Sequence, residues 1–242
     1  MAVQRALLLI ADISGYTQFM KLHRMSLAHA QDAVAQLLGV MIDASPQLKL
    51  IELEGDAAFF YAPYDEGQEA QIAQQAVWQV VAMHQAFHTR RQRMTTRIFC
   101  PCDGCGGVEN LRVKFIAHLG EVASQRVKNV TKLAGFDVIV VHRLLKNDVP
   151  VPEYVLMTEP AFEHSDERLR QRANSIDYDL EGVGSTKTYF VNIADVAAEV
   201  PLPPRASWLR RCWETNVVAF RSLPYLLGLR KPLQGFRNLS PN

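Results

Sequence analysis

Two segments of this chain, ADISGYT at positions 11–17 and LEGDAAFF at 53–60, each place an aspartate at the edge of an apolar run. Asp12 closes the strand-like ALLLIAD, and Asp56 sits in a Gly-Asp turn between LKLIEL and AAFFYA. Hard divalent cations such as Mg²⁺ are held by one or two carboxylates together with phosphate oxygens. Two strands that end in carboxylates, with a hydrogen-bonding loop after the first, are suited to that task. For both to grip one ion, the fold must bring these distant segments side by side. The pair points to a phosphoryl or nucleotidyl site rather than a plain packing domain.

The rest of the sequence fits one domain with an appendage. At 242 residues with 48% apolar side chains, the chain can bury a full core. No apolar run reaches the roughly 18–20 residues that span a bilayer. MAVQRALLLIADIS runs straight into a polar turn without a small-residue cleavage site, so it reads as a first strand, and a cytoplasmic location is expected. Helical spacing marks 26–44 and 67–94, and the segment 136–147 reads as a third helix. Strands are expected at 5–13, 48–53, 57–62, 111–118, 121–131, 153–158 and 176–193, the last bent around Gly182-Val183-Gly184. This order predicts an α+β sheet layered with helices and excludes a doubly wound Rossmann arrangement.

Pro201, Pro203 and Pro204 mark a linker, which sets a globular unit over 1–196 and a separate segment over 197–242. Residues 201–242 hold seven Lys/Arg against one Glu, although the whole chain is only +1. The end is therefore a basic, aromatic-rich appendage on a mildly acidic body. Its Trp208, Trp213, Phe220, Tyr225 and Phe236 suit packing on the body or on a second subunit. Peripheral contact with an anionic membrane is the alternative, and nucleic acid is not expected as a partner.

Cys100, Cys102 and Cys105 form C-x-C-x-x-C among Gly104, Gly106 and Gly107, within an insert over 98–110. Tight turns gather thiolates as a structural zinc knuckle requires, with His118, His88 or Cys212 as the fourth ligand. His118 itself, inside an apolar strand, reads as a hydrogen-bonded core residue rather than a general base.

The motifs resemble those of the class III nucleotidyl cyclases. IADISGYT is similar to that family's first metal-binding strand, and EGDAAFF to the hairpin carrying its second metal aspartate, with a similar 44-residue spacing. RVKFIAHLGEV resembles its strand ending in His-x-Gly, GFDVIVVHRLL its G-x-x-V-N-x-A-x-R-L helix, and EGVGSTKTYFV its closing strand. The match runs in order over about 5–195. More narrowly, HRLLKN at 142–147 and the Cys-rich insert resemble DUF2652, a bacterial family of unknown function with this cyclase-like core.

The resemblance implies a ferredoxin-like βαββαβ core, Mg²⁺ or Mn²⁺ on Asp12 and Asp56, and a nucleoside triphosphate as ligand. It puts Arg143 at the phosphate-contacting position, and implies a homodimer, because class III sites form between two subunits. The backbone N–H groups of Ile13, Ser14, Gly15 and Tyr16 would form an anion nest. Three positions depart from the pattern. Glu52 stands where a purine-reading Lys is usual, Lys132 where a second purine reader falls, and Ile139 where an Asn orients the ribose. Ile offers no hydrogen bond, and loss of one such contact costs roughly 10²–10³ in rate. Two readings follow. One is a divergent cyclase releasing a cyclic nucleotide and pyrophosphate. The other is a catalytically silent nucleotide- or metal-binding signalling module that acts through a partner.

Overall fold

The computed structural model describes residues 3–22, 27–97, 107–127, 130–197, 207–209, 212–213 and 216. Its centre is β1 (Val3–Ser14), whose residues Ala6 to Ala11 are buried on both faces. That two-sided burial explains why the strand reads as a continuous apolar run instead of an alternating one. β1 pairs antiparallel with β3 (Ala57–Pro63) on one side and with β4 (Arg112–Val127) on the other. β2 (Lys49–Glu54) closes a two-residue turn onto β3 through Gly55 and Asp56, with Glu54 opposite Ala57. Gly55 has φ +67°, a left-handed conformation that favours glycine.

β5 (Val130–Ala134) folds back on the far end of β4. β6 (Tyr154–Thr158) lies parallel to β4, and the hairpin of β7 (Asn174–Leu180) and β8 (Gly184–Asn192) completes the sheet. The spatial order is β2-β3-β1-β4-β6-β8-β7.

Alternate residues of the strands feed two cores. On one face Leu7, Leu9, Ile13, Phe60 and Phe115 meet α2 (Leu27–Asp43) and α3 (Glu69–Arg97) through Leu37, Met41, Met83 and Phe87. On the other, Leu8, Ile10, Phe59 and Ile116 meet α4 (Phe136–Arg143) through Val140 and Val141, and Leu144 just beyond it. This is the expected mixed α+β sheet layered with helices. Short helices α1 (Tyr16–Leu22), α5 (Glu159–Glu163), α6 (Glu167–Arg170) and α7 (Ile193–Ala197) fill the corners.

The sequence reading differs from the structure at several places, among them α1 and α7, which it did not mark as helices. Residues 111–131 are not a hairpin about Gly120, because β4 continues unbroken to Val127 and pairs with β1 as far as Val3–Ala123. The third helix ends at Arg143, four residues early. The stretch after β6 carries α5 and α6, which were not anticipated; Pro160 near the first α5 position and the Asp166 cap of α6 are signals that could have marked them. Cys100, Cys102 and Cys105 lie outside the described residues, as does nearly all of the basic tail. In its described part Trp208, Leu209 and Trp213 are exposed. No helix among the described residues is long and apolar enough to cross a membrane.

Candidate functional site

The pairing of β3 with β1 sets Asp12 opposite Ala57, the residue after Asp56, and the Ile13 N–H donates to the Asp56 carbonyl at 3.1 Å. The turn and the strand end are thereby locked together. Asp12 follows Leu8 and Ile10 in the alternation, so its side chain belongs to the α4 face. Asp56 ionises reluctantly. Its carboxyl is pushed up to about 6, first by burial and then by the charge of Asp12, with Lys114 pulling the other way. A carboxyl whose ionisation is opposed by burial and by a neighbouring carboxylate is what a divalent cation relieves, so the donors fit Mg²⁺ or Mn²⁺.

Sequence reasoning missed the third member of this group. Lys114 faces Asp12 across the β1–β4 ladder. Its Nζ lies 3.2 Å from Asp12 Oδ2 and donates to the Leu145 carbonyl at 3.0 Å. Both side chains are largely buried. The signal was present in the alternation of RVKFIAH, which puts Lys114 on the same face as Ile116 and His118, opposite the strand end that carries Asp12.

The loop expected to cradle phosphate is partly committed. The Ile13 N–H is taken by Asp56, and Ile13 itself is a core residue. Gly15 turns the chain with φ +88°, and its carbonyl accepts from Phe19 N as α1 begins. Tyr16 lines a mostly apolar cleft of about 450 Å³ together with Gly55, Leu53 and α2 residues.

The other expected residues surround the same face without converging on the aspartates. Glu52 and Lys132 approach to 3.8 Å, joining β2 to β5. Both are roughly half exposed, so the pair is worth at most ~1 kcal/mol. Arg143 at the end of α4 pairs with Glu181 in the β7–β8 turn. Its neighbour His142 lies edge-on to Phe59 and 3.4 Å from Glu54. Ile139 is exposed on α4.

His118 is partnered at both nitrogens. Nδ1 lies 2.7 Å from Thr158 Oγ1, and Nε2 lies 3.0 Å from Asp137 Oδ1, off the line of a good hydrogen bond but close enough for an ion pair. Asp137 also accepts the Glu121 N–H at 2.6 Å. His118 chiefly, together with that N–H, holds the Asp137 carboxyl below its ordinary value against the effect of burial. His118 is thus engaged on the α4 face by Thr158 and Asp137.

The profile of the family described as "Protein of unknown function (DUF2652)" matches residues 34–154. An uncharacterised protein of Mycobacterium tuberculosis, Rv2561/Rv2562, is 43% identical over 206 residues, 85% of this chain and 94% of that protein. The chain belongs to the DUF2652 family.

Among solved structures, this DUF2652 chain is similar to the guanylyl cyclase Cya2, with a TM-score of 0.60 and 16% identity over 78% of this chain and 92% of that one. A class III adenylyl cyclase-like ATP-binding protein from Pseudomonas aeruginosa gives a TM-score of 0.56 at 16% identity over 70% of this chain. This chain spans about a third, 36%, of that protein's length. At such identities the likeness establishes the fold. The cyclase-like core expected from the motifs is therefore present in this DUF2652 member.

Proposed function

We propose that this DUF2652 chain binds a nucleoside triphosphate together with Mg²⁺ or Mn²⁺ at Asp12 and Asp56, as a divergent member of the nucleotidyl cyclase fold. The observation that carries the reading is the adjacent aspartate pair, locked together by the Ile13–Asp56 backbone bond, in which burial first and the charge of Asp12 second lift the Asp56 carboxyl to about 6. A bound cation would supply charge stabilisation at the reacting phosphate and activate the attacking hydroxyl. The chain's own residues have distinct parts. Asp12 and Asp56 hold the ion, and Lys114 neutralises Asp12 where the ion would otherwise sit. Ser14, Gly15 and Tyr16 offer backbone N–H groups to phosphate. Arg143, once released from Glu181, reaches toward phosphate with a bidentate fork. Glu52 and Lys132 border the base. A homodimer completes the site, the location is cytoplasmic, and a zinc knuckle on Cys100, Cys102 and Cys105 staples the insert.

A second reading, a signalling module that binds without turnover, is favoured by one specific feature. Ile139 stands exposed on α4, where the resemblance puts the ribose-orienting Asn, and it has no polar group to offer. The Pseudomonas neighbour, whose name describes an ATP-binding protein, fits this reading as well.

Incubation with all four nucleoside triphosphates and Mn²⁺, followed by mass spectrometry, separates the two. A cyclic product that disappears in Asp12→Asn establishes the cyclase. Metal-dependent nucleotide binding without product establishes the module. Calorimetry showing the same nucleotide affinity with and without metal, and in Asp12→Asn, would remove both.

A further inference from the structure

A second cluster of potential ligands lies on the opposite face of the sheet. His84 and His88 stand one turn apart on α3, so their rings share a face, with centroids 4.3 Å apart. Both face Glu153, the residue before β6. His88 Nε2 is 2.8 Å from Glu153 Oε1, and His84 Nε2 is 3.6 Å from Glu153 Oε2. One ligand atom from each of the three lies within 4.8 Å of the others. All three residues are at least nine-tenths buried.

We propose that His84, His88 and Glu153 bind a zinc-class divalent ion that clamps α3 onto the sheet. Four observations support this site over a metal-free polar cluster. The first is the donor set. Two imidazoles and one carboxylate, with a fourth position open, are a common zinc combination. The second is spacing. At metal–ligand distances of about 2.0–2.1 Å, tetrahedral ligand atoms sit roughly 3.3 Å apart; His88 Nε2 stands 2.8 Å from Oε1 and His84 Nε2 3.6 Å from Oε2, so each imidazole already lies near that spacing from its own carboxylate oxygen.

The third is an orphan. Buried His84 Nε2 has no hydrogen-bond partner among the described residues and is aimed at the carboxylate. An unpaired buried polar atom is costly, and an ion would satisfy it. The fourth is anchoring of the carboxylate. Glu153 Oε1 accepts the Val113 N–H at 3.1 Å, and the Glu153 carbonyl accepts Ile193 N at 3.2 Å. Such outer bonds fix a ligand's orientation.

The cluster is separate from the aspartate pair. Val113 is the ladder partner of Ile13, one residue along from the Asp12–Lys114 pair, and adjacent strand residues point to opposite faces. His88 is also one of the candidate fourth ligands for the cysteines, so the test removes the thiols.

Full-length protein with Cys100, Cys102, Cys105 and Cys212 all changed to Ser is stripped with chelator and titrated with Zn²⁺. One equivalent is expected, with a rise in Tm. His84→Asn, whose Nε2 gives up no existing hydrogen bond, is expected to weaken Zn²⁺ at least tenfold and abolish that rise while folding normally. Glu153→Gln should do the same. Co²⁺ loaded in place of Zn²⁺ should give tetrahedral visible bands without thiolate charge transfer. Should the cysteine-free chain not fold, His84→Asn in the natural sequence must lose one equivalent and keep any thiolate bands. No bound Zn²⁺, or binding unchanged in both ligand variants, overturns the proposal.

Discussion

Lys114 Nζ reaches to 3.2 Å from Asp12 Oδ2 from the position directly across the β1–β4 ladder. The ammonium group therefore occupies one of the oxygens that an incoming cation needs. Two like charges a few Å apart at an effective dielectric of about 20 repel by more than ~1 kcal/mol. Lys114→Met should tighten Mn²⁺ about tenfold, measured by calorimetry without nucleotide. It should also lower Tm in metal-free buffer, since Asp12 and Asp56 then face each other uncompensated. Weaker Mn²⁺ binding in this variant would mean that Lys114 positions Asp12 more than it competes for it.

The raised Asp56 carboxyl gives a pH dependence of defined sign. The folded chain holds this proton up to about 6, whereas the unfolded chain releases it near the ordinary value of 3.8. The proton-linked contribution is fully present below the unfolded value and is lost as pH rises through the folded one. Asp56→Asn removes the ionisation. In chelator-treated samples its Tm relative to the parent should climb between pH 4 and pH 7 and level off above. A difference that does not vary with pH would mean Asp56 is not perturbed.

Gly120 is required by Asp137 rather than by its own backbone. A Cβ there would overlap the Asp137 carboxyl, which bonds the Glu121 N–H at 2.6 Å and faces His118. Gly120→Ala should cost ~1–3 kcal/mol, as overpacking usually does. Chemical denaturation of Gly120→Ala, Asp137→Ala and the double variant should show a cost well below the sum of the two singles. Strict additivity would place the effect elsewhere.

Arg143 and Glu181 form a pair whose acid is almost fully exposed, so its contribution to stability is small. Arg143→Ala should change stability by no more than ~0.5 kcal/mol. If the arginine serves phosphate, nucleotide affinity falls at least tenfold in that variant and is unchanged or improved in Glu181→Gln. Nucleotide affinity left intact by Arg143→Ala would return the residue to a surface ion pair.

The elements most legible in the sequence were those with the clearest pattern. The unbroken apolar run of β1 and the Gly-Asp turn of β2 and β3 emerged within one or two residues, because two-sided burial and a left-handed turn leave strong local marks. β4 was divided wrongly at Gly120, since a glycine chosen to admit Asp137 looks locally like a turn. Lys114 was invisible as a site member because its role depends on cross-strand register, which no local window contains. His84 and His88 carried the right helical spacing, but their meaning required Glu153, 65 residues beyond His88.

Asp12 and Ile13 are successive links of one strand, yet one helps frame a carboxylate pair and the other backs the strand position beside Glu153. Slipping β1 against β4 by a single residue would send both to the wrong side at once. Insertions or deletions of one residue within 3–14 or 112–123 should therefore be far more damaging than any point substitution there. Lengthening the connections outside these strands leaves the alignment whole, and that is where the chain has freedom to vary in length.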